Sequence, residues 1–286
     1  MENIKKIVEF IKSNSSQIGI GSPEVSLAKE LVDNRCKDKS LFICEGHWAV
    51  DKLIQKKIEV VSFFYQSDLL EKQNEIEIDL IYKMVSYAPK SFSISEKACK
   101  KISDRDGFDN CFIIAKLPKI SFADIEKIIS NKKEVLAIVM DGLEQPGNIG
   151  AILRSFDCAG GTFAIVTNKQ ARLSNSRLVR ASLGASFMLP VLEADIEETQ
   201  KWLIKNKFKC VVTDLQGKIS YRDADYSGFV AIVAGNEHTG ISDSWRKLPI
   251  STSVIIPMLG TCESLNVGFA STLVSYEAGL QKFTKK

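Results

Sequence analysis

The chain has 286 residues, 45% of them hydrophobic and 26% charged, which is the balance of a folded globular protein and not of a disordered or fibrous one. Its 38 Lys and Arg against 35 Asp and Glu leave a formal charge of +3, too small over this length for a polyelectrolyte, so nucleic-acid binding would have to come from local clusters. With only two histidines, His47 and His238, a three-histidine metal centre is excluded, and seven scattered cysteines without a CxxC pair speak against a disulfide framework or a zinc site.

The opening segment places Ile4, Ile7, Val8 and Ile11 at helical spacing among Lys and Glu, so it predicts an amphipathic helix and not a signal peptide. No stretch approaches the roughly 18–20 apolar residues of a membrane span, and the expected compartment is the cytoplasm. Residues 41–44 form a short apolar run, Trp48, Val50, Leu53 and Ile54 fall at near-helical spacing, and 59–65 return to β-branched and aromatic residues. That predicts a strand, a helix and a strand. A helix over 95–103 and a strand over 110–115 complete a small α/β unit spanning 1–117. The proline-led segment 118–133, with one helix and a basic end, is expected to be a linker.

From residue 134 the pattern sharpens. Residues 136–141 (LAIVMD) predict a strand, a Gly/Pro loop follows, and 149–159 predict a helix stopped by Gly160 and Gly161 before the strand TFAIV. This is a βαβ unit. Ser174 to Ser186 predict a helix, and Asp195 with Glu198 predicts a capping box for a helix reaching Lys207. Strands are expected at 210–214, 229–234 and 254–257, and a long helix from Ser264 to Lys282 closes the chain. The alternation implies an α/β class with a mostly parallel sheet covered on both faces.

Three loops do not read as packing. In DGLEQPGNIGAILRS (141–155) a strand end meets a helix start, where ligands bind in parallel sheets; Asn148 suits an N-cap and Arg154 lies about a turn and a half into the helix. The segment lacks the Gly-x-Gly pair of a nicotinamide fingerprint, which disfavours an oxidoreductase. In AIVAGNEHTGIS (231–242) an apolar strand runs into Gly235, Asn236 and Glu237, putting an amide and a carboxylate at the strand's C-terminal edge. His238 reads as a solvated loop residue. In IIPMLGTCESLNVGFASTLVSYEAG (255–279) Ser264 and Asn266 stand where the last helix begins, with Ser264 a candidate N-cap, and Cys262 has no base beside it.

In this order the three loops resemble the motifs of the SpoU (TrmH) branch of the SPOUT RNA methyltransferases, seen here as NIGAILR, GNEHTGIS and IPMLGTCESLNV across residues 135–282. The earlier FICEGHWAVDKLIQKKIEVVSFFY is similar to the family's small N-terminal RNA-binding domain. The resemblance implies a methyltransferase domain over 134–286 with a deep trefoil knot, joined to an N-terminal α/β RNA-binding domain over 1–117. It further implies S-adenosylmethionine as cofactor, no metal, homodimerisation through the knotted domain, and methylation of a ribose 2′-hydroxyl of RNA, ribosomal before transfer RNA. A fold-preserving but non-catalytic ribosome-assembly protein is the alternative of another class.

By the same resemblance Arg154 is the residue that acts on the hydroxyl, while Asn148, Glu237, Ser264 and Asn266 hold the arginine, the ribose and the loops in register, Glu237 by pairing with an arginine. Thr213, Gly235, Ile256, Met258 and Leu265 are assigned to the cofactor, mainly through backbone groups. A guanidinium stays protonated near neutrality, so Arg154 is expected to bind the adjacent phosphate and polarise the 2′-oxygen, the proton leaving to a phosphate oxygen or water. Arg35, Lys37, Lys39, Lys97, Lys100, Lys101, Arg172, Arg177 and Arg180 are the candidate RNA contacts.

Overall fold

The computed structural model describes residues 2–103 and 110–283, in two compact units. One comprises Met1–Pro118 together with Ser174–Gly184, the other Lys119–Leu173 together with Ala185–Lys286. No helix among the described residues is long and apolar enough to cross a membrane.

The first unit runs α1 (Glu2–Ser13), β1 (Ser16–Gln17), α2 (Pro23–Val32), β2 (Leu41–Glu45), α3 (Val50–Gln55), β3 (Val60–Gln66), α4 (Glu75–Tyr87), β4 (Ser91–Ile94), α5 (Glu96–Ile102) and β5 (Cys111–Lys116). Its five strands stand in the order β1-β4-β3-β5-β2, with β4 parallel to β1 and β3 and with β5 antiparallel to β3 and β2. Because successive strand residues face opposite sides, Phe64, Phe112 and Ile114 share one face, where Val25 and Ala28 of α2 and Ala98 and Ile102 of α5 cover them. Sequence reading left out α2 and α4, yet both announce themselves: Ser22 caps α2 ahead of Pro23, and Asn74 with Glu77 forms a reciprocal capping box on α4.

The second unit runs α6 (Phe122–Ile129), β6 (Val135–Asp141), α7 (Pro146–Cys158) and β7 (Phe163–Thr167). The chain then leaves it for α8 (Ser176–Ser182), which belongs to the first unit, and returns with α9 (Ala185–Met188). After that follow β8 (Val191–Glu193), α10 (Ile196–Lys205), β9 (Lys209–Thr213), β10 (Ile219–Ser220), β11 (Phe229–Ala234), α11 (Asp243–Arg246), β12 (Ser251–Ile255) and α12 (Val267–Phe283). Seven strands pair in the order β10-β12-β9-β11-β6-β7-β8, every pairing parallel. The continuous apolar runs of β6 and β11 follow from this, since both are covered on both faces.

Two expectations change here. The segment expected as a linker carries α6, whose Ile125 and Ile129 are buried in the core with Trp202 and Phe208, so it is part of the second unit's packing. The single helix expected over 174–186 is two, broken where Leu183 adopts a left-handed φ of 45°. Its first half is fastened within the first unit: Ser176 donates its N–H to Asn34 Oδ1 at 3.0 Å and its hydroxyl to Val32 O at 2.8 Å, and Lys52 Nζ donates to Leu183 O.

Candidate active site

The strand order reverses at β6. The chain steps from β6 to β7 and β8 on one side, then crosses to place β9 and β11 on the other, and ligands bind at the C-terminal ends of strands around such a reversal. The three singled-out loops leave β6, β11 and β12 at that end.

Helix α7 begins earlier than expected, at Pro146, with Gln145 at the N-cap position and no side-chain cap of its own. Asn148 is therefore not the cap but the third residue of the helix. The capping acceptor arrives from the next loop: Glu237 Oε2 accepts the Glu144 N–H at 3.0 Å, and its Oε1 accepts the Gln145 N–H at 3.1 Å and Asn148 Nδ2 at 3.0 Å. A carboxylate suits this place because orphan N–H groups and the helix dipole both favour negative charge. Burial pushes the Glu237 carboxyl up, but the bonds from Asn148 and the backbone of Glu144 and Gln145 more than offset that and hold it below its ordinary value. The expected arginine partner of Glu237 is replaced by these amides.

The chain of bonds continues into the third loop. Asn148 Oδ1 accepts Asn266 Nδ2 at 3.2 Å, and Asn266 Oδ1 accepts the Gly268 N–H at 2.8 Å. Asn266 thus caps α12, which starts at Val267, and Ser264 lies two residues before that cap and does not cap. Asn236 ties the first two loops together, donating to Gly142 O at 2.7 Å and to Glu144 Oε1 at 3.0 Å, while its own Oδ1 takes the His238 and Thr239 N–H groups. The sequence marks Asn236 as an amide at the C-terminal edge of β11 but not its tie to the first loop.

Beside this cluster lies a cavity of about 400 Å³. All five positions assigned to the cofactor, Thr213, Gly235, Ile256, Met258 and Leu265, line it, together with Glu237, Ser264 and Asn266. A Cβ at Gly235 would stand 2.5 Å from Gly240 O, so only glycine lets the 235–240 loop close back on itself, with Asn236 and Gly240 exchanging backbone bonds at 3.0 Å. Arg154 does not line the cavity. It sits on the exposed surface of α7, six residues and about 9 Å along the axis from Asn148, with no hydrogen bond or ion pair among the described residues.

The candidate RNA contacts fall in different places. Arg35, Lys37, Lys39, Lys97, Lys100, Lys101, Arg177 and Arg180 belong to the first unit and Arg172 to the second. Arg172 and Arg177 are exposed, Arg35 pairs with Asp33, and Lys100 pairs with Glu96 at 2.5 Å. Lys101 donates to Ile20 O at 2.9 Å, and Arg180 faces Glu45 at 3.5 Å, whose side chain is 5% exposed. Among the described residues no group of three or more His, Cys, Asp or Glu could hold a metal ion.

The model of the SpoU rRNA Methylase family matches residues 135–276. A 23S rRNA (uridine(2479)-2′-O)-methyltransferase of Streptomyces viridochromogenes is 33% identical over 159 residues, 54% of this chain, so the chain spans 55% of that relative's length. The crystal structure of an RNA 2′-O ribose methyltransferase superposes with a TM-score of 0.76 at 28% identity, covering 92% of this chain and 97% of its own. An AdoMet-bound rRNA methyltransferase from Sinorhizobium meliloti shares the fold with a TM-score of 0.80 at 23% identity, over 93% of this chain and 97% of that one. Residues 135–276 of this chain form a domain of the SpoU rRNA Methylase family.

Proposed function

We propose that the chain transfers a methyl group from S-adenosylmethionine to a ribose 2′-hydroxyl of RNA, with 23S ribosomal RNA as substrate and the cytoplasm as its place of action. The observation that carries this reading is the convergence of three loops remote in sequence. Asn148, Glu237 and Asn266 are bonded in series beside a cavity lined by all five positions assigned to the cofactor. The activities for which the relatives are named support the same substrate class. A cavity of about 400 Å³ suits a ligand the size of S-adenosylmethionine. That cofactor supplies, when bound, a methyl group already activated on a sulfonium.

The residues divide the remaining work. Glu237 already accepts three N–H donors, so it holds α7 and Asn148 in place and is a positioning residue instead of a base. Arg154, exposed and without a partner among the described residues, is available to grip the phosphate next to the target ribose and polarise its 2′-oxygen. The hydroxyl proton then passes to a phosphate oxygen or water, since a guanidinium accepts none. Ser264, exposed at the rim, offers a hydroxyl to the ribose. The loops after β11 and β12 would form the threaded part of a deep trefoil knot. A second copy would cover Phe269 and Leu280 of α12, which are 69% and 53% exposed. Arg35, Lys37 and Arg177 of the first unit would contact RNA, joined by Arg172 of the second. Arg180 is instead the partner of Glu45.

Labelled S-adenosylmethionine incubated with separate ribosomal and transfer RNA pools, followed by mapping of 2′-O-methyl positions, tests the reading. Label in ribosomal RNA is expected. Label confined to transfer RNA overturns the substrate, and cofactor binding without label in either pool points to the non-catalytic alternative.

A further inference from the structure

One wall of the cavity is built, beyond Thr213, by residues to which the proposed reaction assigns no role. At the end of β9 the Thr213 hydroxyl donates to Val233 O at 3.0 Å, and the chain then turns sharply. Asp214 N–H donates to Val254 O at 3.0 Å, Gly217 N–H to Asp214 O at 3.0 Å, and Gln216 N–H to Asp214 Oδ1 at 3.1 Å. A Cβ at Gly217 would meet the Val254 carbonyl carbon at 2.5 Å, so the turn lies flat against β12 and has little room to shift.

The Asp214 carboxylate, 5% exposed, is gripped from outside the turn. Arg246 of α11 donates Nε to Oδ2 at 2.7 Å and Nη2 to Oδ1 at 3.3 Å, and its Nη1 is anchored on Asp243 at 3.2 Å. This is the forked geometry that a guanidinium offers and an ammonium does not. Leu215 is what the frame presents. It lines the cavity beside Asp214 yet is 59% exposed, an apolar side chain held at the mouth by a turn whose backbone is otherwise committed.

We propose that Arg246 is a positioning residue of the cofactor site, which through Asp214 fixes the 213–217 turn so that Leu215 covers the purine face of an adenosine ligand. The proposal rests on the S-adenosylmethionine reading above. It separates cofactor affinity from RNA affinity, because Leu215 lines one ligand's pocket, Arg246 acts on that pocket only through Asp214, and neither takes part in polarising the 2′-hydroxyl. Both S-adenosylmethionine and S-adenosylhomocysteine, which share the adenosine, must then depend on the clamp alike.

The test uses the full chain with Arg246→Ala, Arg246→Lys and Leu215→Ala, each checked for folding by its thermal transition and titrated calorimetrically with both ligands. Arg246→Ala is expected to weaken both ligands about tenfold, the scale of one lost charge-assisted hydrogen bond, with KM for RNA and kcat at saturating cofactor unchanged. Arg246→Lys should fall between it and the wild type, and Leu215→Ala should weaken both ligands without lowering the transition temperature. If Arg246→Ala fails to fold, the other two variants decide. Unchanged affinities in both, or kcat and the two KM values moving together, overturn the clamp. A wild type that binds neither ligand overturns the cofactor reading itself, and the clamp with it.

Discussion

Helices α10 and α7 begin in the same unit and meet the same physical demand, yet they satisfy it in opposite ways. At α10 the acceptor is local: Asp195 Oδ1 takes the Glu197 N–H at 2.7 Å and the Glu198 N–H at 3.3 Å. At α7 it comes from Glu237, more than ninety residues along the chain, and the same carboxylate that caps the helix also orients Asn148. A local cap stabilises one helix. A remote cap makes the helix, the loop after β11 and the site rise or fall together, so the contrast separates a stability residue from a site residue at identical chemistry.

Replacing Glu237 should break that contrast most severely. Glu237→Ala leaves two backbone donors and an amide without their acceptor, an expected loss of about 3 kcal/mol together with methyl transfer reduced at least about 100-fold. Thermal melts and single-turnover assays read the two effects separately. Arg154→Lys is next. It keeps the charge and loses the fork, so methyl transfer should drop by about 100-fold while the melting temperature stays at the wild-type value, because the side chain has no partner among the described residues. Near-full transfer by this variant would count against the bidentate positioning role.

Asp195→Ala sharpens the comparison from the other side, with an expected cost of about 1 kcal/mol and unchanged specific activity, read by urea unfolding and the same assay. The smallest effect is that of acid. Folding lowers the Glu237 pKa below its ordinary 4.5, so its contribution to stability is complete above that value and is lost as the pH falls through the lower, folded value. The stability gap between wild type and Glu237→Gln should be constant at neutral pH and shrink only below pH 4.5. A gap that widens on acidification would show that burial, not hydrogen bonding, dominates there.

Much of the second unit is legible in one dimension because its signals are short-range. The apolar runs of β6, β7 and β11, the Gly160–Gly161 stop and the Asp195 cap all lie where local reading puts them, although the cap is one-sided and lacks the return bond expected from Glu198. Strand β12 is displaced toward the N-terminus, Ser251–Ile255 against the expected 254–257, because its early residues are polar and half-exposed and carry no apolar run. Strands β1 and β10, two residues each, and the three-residue β8 are too short for any period to show. In the first unit α4 was missed although its capping box is written in the sequence, because its exposed Ile76 blurs the apolar stripe.

Order along the chain was enough to single out polar residues that the structure brings together at the three loops, and motif resemblance was enough to propose their chemistry. It could not determine how they serve. Asn148 looks like a helix cap and is an amide relay, Ser264 looks like a cap and is not one, and Glu237 looks like an arginine's partner and caps another helix. Those roles are decided by which loops the parallel sheet brings together at the ends of β6, β11 and β12, and hydrogen-bond partners at such separations are set by strand order, to which local propensity is blind.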